Sequence, residues 1–128
     1  MLQEQRQEIV ETLEEVIKTY PFLPEKPVVP CAVITPGTTF LTLQEDQGFN
    51  RFETTNWVVT LFVSVGTNQA MTQGLDALIE GAVNALWENT GFDSIVVNGL
   101  QEVVTNGATY LAVAITLTKE TQGGINNG

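Results

Sequence analysis

Three pairs of carboxylates are the residues whose type and spacing come nearest to acid/base chemistry: Glu14 with Glu15, Glu45 with Asp46, and Asp76 with Glu80. Neighbouring carboxyl groups can divide the proton-donating and proton-accepting roles of a reaction. Each pair has a plainer reading. Glu14 and Glu15 lie on the polar side of one amphipathic segment, Asp76 and Glu80 on that of another, and Glu45-Asp46 at the tip of a polar stretch, so all three read as solvated surface. The other nucleophiles lack helpers. Histidine is absent, which removes the usual general base and the commonest transition-metal ligand. Ser64 and Ser94, the two serines, have no nucleophile-elbow context, and no glycine-rich phosphate loop follows a strand. Cys31 is the single cysteine and sits in the apolar run Cys31-Ala32-Val33-Ile34, where a small buried hydrophobe is expected. The expectation is a protein that is not an enzyme, with no cofactor and no metal, acting by binding other protein.

Composition points the same way. The 128 residues suit one domain, and 43% hydrophobic against 16% charged residues marks a chain that folds. Fifteen acidic residues against five basic ones give a net charge of -10, which repels nucleic-acid phosphates and anionic lipid alike. Direct DNA binding and membrane-surface binding are therefore not expected. Solubility, mimicry of DNA, or the lining of a passage along which nucleic acid slides would each account for the acidity. No apolar run approaches the roughly 20 residues of a membrane-spanning helix, and the first residues lack a signal peptide's pattern, so synthesis and use in the cytoplasm, or in a particle assembled there, is the expectation.

The elements that must position these residues read as follows. Residues 2–19 place Leu2, Ile9, Leu13, Val16 and Tyr20 on one helical stripe. Prolines 21, 24, 27 and 30 then forbid helix and suggest an extended connector, or else a proline-motif ligand. Strands are expected at 31–35 and 38–43, separated by a turn at Pro36-Gly37, with a polar loop at 44–51. Alternation of Trp57, Val59, Leu61, Val63 and Val65 makes the clearest strand, and Val58 and Phe62 on its other side mark it as central or covered on both faces. A helix over 69–89 places Met71, Leu75, Leu78, Ile79, Ala82, Val83 and Leu86 on one apolar arc and ends at Gly91, read as its cap. Strands at 95–105 and 109–117 meet at Asn106-Gly107, a hairpin signal. The expected fold is α+β, in the order α-β-β-β-α-β-β: a mainly antiparallel five-stranded sheet with two helices packed on it. A single domain spans 1–118, and 119–128 is expected to be a flexible tail.

Beside the second helix's apolar arc, Gly74, Ala77, Gly81 and Ala85 form a stripe nearly free of bulk. Glycine inside a helix costs roughly 1 kcal/mol against alanine, so a close neighbour is expected, either the protein's own sheet or an adjacent subunit. If the sheet leaves the stripe bare, bulk at Gly81 should break assembly more than folding. A second candidate is the loop carrying Gln44, Glu45, Asp46, Asn50 and Arg51, facing a lumen or a partner.

Four segments carry a family resemblance: Pro30-Cys31-Ala32-Val33-Ile34-Thr35-Pro36-Gly37 with Thr38-Thr39-Phe40-Leu41, then Trp57-Val58-Val59-Thr60-Leu61-Phe62-Val63, Gly74-Leu75-Asp76-Ala77-Leu78-Ile79-Glu80, and Gly107-Ala108-Thr109-Tyr110-Leu111-Ala112-Val113-Ala114-Ile115. With the element order, from the first helix to about Leu117, the chain resembles the tail terminator (tail completion, head-to-tail joining) proteins of long-tailed bacteriophages. The segments are fold patterns, not a chemical motif. The resemblance implies a homo-oligomeric ring, usually a hexamer, that caps the tail tube made of the major tail protein and meets the head-tail connector. It places the protein in the tail or neck of a virion assembled in host cytoplasm. A head-completion or neck protein would share these features, and a small acidic inhibitor or DNA mimic is the alternative from another class.

Overall fold

A computed structural model describes residues 2–25, 27–45, 51–64, 69–105 and 107–123. The elements are α1 (Leu2–Glu14), β1 (Thr19–Tyr20), β2 (Cys31–Glu45), β3 (Arg51–Ser64), α2 (Gln69–Asn89), β4 (Ser94–Thr105) and β5 (Ala108–Gly123). The five strands form one sheet in the order β1-β2-β3-β5-β4. All neighbours are antiparallel except β1, which runs parallel to β2, so the sheet is mixed. The α+β class, the two helices and the central strand expected around Trp57 are all present.

Alternation along β3 explains the layering. Trp57, Val59 and Leu61 point to the face that carries both helices, where they join Ala32, Ile34, Ile115 and Leu117 of the neighbouring strands. Ile9 and Leu13 of α1 and Ala82 and Leu86 of α2 cover them. Phe62 points the other way and packs with Cys31, Val33 and Ala112 beneath Tyr20 and Val29 of the proline-rich connector. The connector is therefore a cover for the second face, held in part by Val28 N–H donating to the Tyr20 hydroxyl at 3.3 Å.

Several boundaries differ from the sequence reading, each for a local reason. The first helix stops at Glu14, because Val16 and Ile17 both donate to the Leu13 carbonyl and close a turn there. Tyr20 consequently leaves the helical stripe for β1, and Val16 is exposed. Pro36-Gly37 does not separate two strands. It lies in a register shift within β2, between the pairs Pro36↔Trp57 and Leu41↔Thr55, where five steps on β2 match two on β3. Glycine at 37 permits a close approach, since a Cβ would come within 3.1 Å of the Asn56 backbone oxygen. Asn56 also fastens the bulge, donating from Nδ2 to the Thr39 carbonyl at 2.8 Å and accepting from the Thr118 hydroxyl. Gly91 is not a left-handed cap. Instead Asn89 Nδ2 and the Thr90 hydroxyl donate to the carbonyls of Ala85 and Leu86 in the last turn of α2. A hairpin joins β4 to β5 as expected, with Thr105 paired to Ala108 and Gly107 at φ +78°, while Asn106 lies outside the described residues.

The expected tail is partly strand. Lys119–Gly123 continues β5, paired with Arg51–Thr55 of β3. Asp93 draws this stretch in, its N–H donating to the Thr118 carbonyl at 2.8 Å and its carboxylate accepting from Glu120 N–H at 2.7 Å. Residues 124–128 lie outside the described residues.

The feature no periodicity announced is Gln5, a polar side chain buried on α1. Its Oε1 accepts from the indole Nε1 of fully buried Trp57 at 2.8 Å. Gln5→Leu should lower stability by about 1–3 kcal/mol, the cost of stranding a buried indole N–H, measured by urea denaturation. An unchanged midpoint would mean that water reaches the indole.

Candidate assembly surface

The stripe on α2 is not covered by the sheet. Gly74 and Ala77 are exposed, and nothing lies within 4 Å of a Cβ built on Gly74. Gly81 and Ala85 are half-buried, and a Cβ on Gly81 would meet Val16 Cγ1 at 3.3 Å. Val16 belongs to the turn after α1. The close neighbour at Gly81 is therefore the protein's own turn after α1 and not its sheet. Only the Gly74 end of the stripe is open.

Of the polar loop, Gln44, Glu45 and Arg51 are strand residues: Gln44 pairs with Phe52, and Glu45 with Arg51. Asp46 and Asn50 lie outside the described residues. β2, β3 and β5 thus form a three-stranded extension. Below the row of Trp57 and Leu117, the last row in the helix-covered core, β3 keeps partners on both sides through Thr54, Glu53, Phe52 and Arg51. Among the described residues no helix side chain joins a core cluster with this part.

Among the described residues the Glu14–Glu15 and Asp76–Glu80 pairs form no shared centre, and Asp46 of the third pair lies outside the described residues. Glu14, Glu15, Asp76 and Glu80 are exposed, and Glu14 accepts from Thr19 N–H at 3.4 Å. Among the described residues no three Asp, Glu, Cys or His side chains gather in a group able to hold a metal.

What the described surface does carry is exposed apolar side chains, at the two opposite edges of the sheet. At the β1–β2 edge are Phe22, Leu23, Val28, Leu41 and Leu43. At the β4 edge are Val96, Val97, Leu100 and Val104. Sequence reasoning missed both groups: Leu41, Leu43 and the β4 residues fall in segments whose apolar residues read as strand, and Phe22, Leu23 and Val28 fall in the proline-rich connector, where no periodicity assigns a face. A cleft of about 510 Å³ adjoins the first edge, lined by Leu2, Arg6, Pro21, Phe22, Phe40 and Trp57 among others. Phe40 meets Trp57 edge-on with ring centres 4.7 Å apart, and the Arg6 guanidinium lies 5.0 Å from the indole centre. The Nε of Arg6 is buried and has no hydrogen-bond partner.

Two measurements follow. Gly81→Leu should lose about 1–3 kcal/mol from the clash with Val16, whereas Gly74→Ala should gain roughly 0.5–1 kcal/mol, both read from thermal melts. Equal effects would place the two glycines in like surroundings. The Cys31 thiol is pushed by burial from 9.0 up to about 11. The folded chain then holds its proton more tightly than the unfolded chain. Its contribution to stability is complete below pH 9 and falls as pH rises toward 11, by about 2–3 kcal/mol at 1.36 kcal/mol per unit. Cys31→Ala should remove that part of the pH dependence, measured by denaturant titration.

No protein-family model matches the chain, and no curated protein shows significant similarity to it.

Proposed function

We propose that the chain is a structural virion protein of a long-tailed bacteriophage, one that caps the finished tail tube as a ring of identical copies and joins it to the head connector. The observation that supports the reading best is the three-stranded extension of β2, β3 and β5, which runs past the helical layer from a sheet whose two edges are open. Such a shape offers contacts above, below and to either side, as a ring between two larger assemblies requires. The net charge of -10 suits the wall of a passage through which DNA moves without sticking. Binding is the role, with the major tail protein, the connector and other copies of this chain as partners.

Phage particles made without the protein are expected to carry tail tubes of uncontrolled length, seen by electron microscopy, and to regain normal tails when it is supplied in trans. Tubes of normal length left unjoined to heads would move the role to head completion. Normal joined particles would overturn the reading.

A further inference from the structure

We propose that copies of this chain associate head to tail through their sheet edges, β4 of one copy docking beside the open edge of β2 in the next, with Glu102 of the first reaching Arg6 of the second. The proposal deepens the ring reading and rests on it for the identity of the copies.

Both edges are available. Among the described residues, β2 has no strand on its outer side beyond the two residues that pair with β1, and β4 has none on its outer side. Open strands carry unpaired N–H and C=O groups that recruit another strand unless charge, proline or bulges guard them. Guarding by charge is light here, and Pro36 with the register shift up to Leu41 confines the regular open edge of β2 to Leu41–Glu45. β4 holds one charged residue in 12 and β2 one in 15, neither a lysine, in a chain of net charge -10. A bulge between Val97 and Leu100 divides β4, leaving a pairing stretch on each side.

The apolar side chains lie on matching faces. Val97, Leu100 and Val104 pair with Ile115, Val113 and Thr109, which places them on the helix-bearing face, and they are 41%, 54% and 68% exposed. Leu41 and Leu43 pair with Thr55 and Glu53, which by alternation share the Trp57 face. A sheet continued from copy to copy therefore sets the β4 group beside Leu41, Leu43 and the cleft under α1. The patches differ from each other and sit on opposite edges, the arrangement that gives head-to-tail contacts and not a two-fold dimer.

Charge selects the partner. Arg6, one of five cations in the chain, stands in the cleft with its Nε buried and unpartnered. Glu102, the only charge on β4, pairs with Leu111 and so also lies on the helix-bearing face. It is exposed and makes no hydrogen bond or ion pair among the described residues. An incoming β4 brings this carboxylate to the face where Arg6 stands, and a charge-assisted pair with the half-buried guanidinium would join the two copies.

Charge exchange tests the pairing. The Arg6→Glu chain carries acid on both patches and the Glu102→Arg chain carries base on both, so each alone sets like charges face to face. Mixed, every junction pairs acid with base. By sedimentation velocity up to about 1 mM, the unaltered chain should assemble, each variant alone should associate at least about tenfold more weakly, and the equimolar mixture should assemble again. Leu100→Glu, at an exposed position, should abolish assembly without lowering the melting temperature, which covers the case in which Arg6→Glu does not fold. The proposal is overturned by an unaltered chain monomeric throughout, by Leu100→Glu assembling normally, or by folded charge variants that assemble alone or fail to assemble together. Assembly through these edges with no effect on tails would sink the phage reading and leave the interface standing.

Discussion

The burial of Trp57 is the constraint on which the rest of this structure turns. The indole has no exposed surface and stands in the central strand, where α1, the β2 bulge and the extension all converge on it. Burying a side chain of this size contributes about 4–6 kcal/mol at 25 cal/mol per Å², comparable with the whole net stability of a small domain. The same burial raises a problem, since the indole N–H must find a partner. Gln5 supplies it from a helix more than fifty positions earlier. One hydrogen bond thereby fixes both the rotation of α1 about its axis and its position along the sheet. Phe40 and Arg6 then close the rim of the same ring.

Periodicity made much of this legible. The span of α2, the alternation of β3 and the Asn106-Gly107 hairpin could be read from residues alone, because each depends on a pattern within one element. The departures came where a distant element supplies the energy. Residues 15–20 continue a helical stripe, yet Thr19 and Tyr20 gain more as a strand beside Ala32 and Val33. Pro36-Gly37 carries a turn signature, but Asn56 receives the chain and β3 continues the ladder beyond it. Lys119 begins a polar stretch that resembles a tail until Asp93 and Phe92 are brought alongside it, the Lys119 ammonium lying 5.9 Å from the Phe92 ring centre.

The candidate surface was less legible than the fold. Low side-chain bulk along Gly74, Ala77, Gly81 and Ala85 signals proximity to something without naming it, and at Gly81 the something is Val16. The open edges of the sheet are a property of strand order, which periodicity within a strand does not encode. Val97, Leu100 and Val104 look like core in the sequence, since alternation cannot reveal that α2 stops short of covering them.

The strand order also governs when the sheet can exist. β5 lies between β3 and β4, so a chain emerging from the ribosome carries a β4 with no neighbour until β5 follows, and a β3 paired on one side only. Arg51 must wait for Gly123. Pairings so distant in sequence close slowly, because loop entropy is spent before the contacts return it. The sheet of the nascent domain therefore closes only when β5, its last strand to be made, enters between β3 and β4.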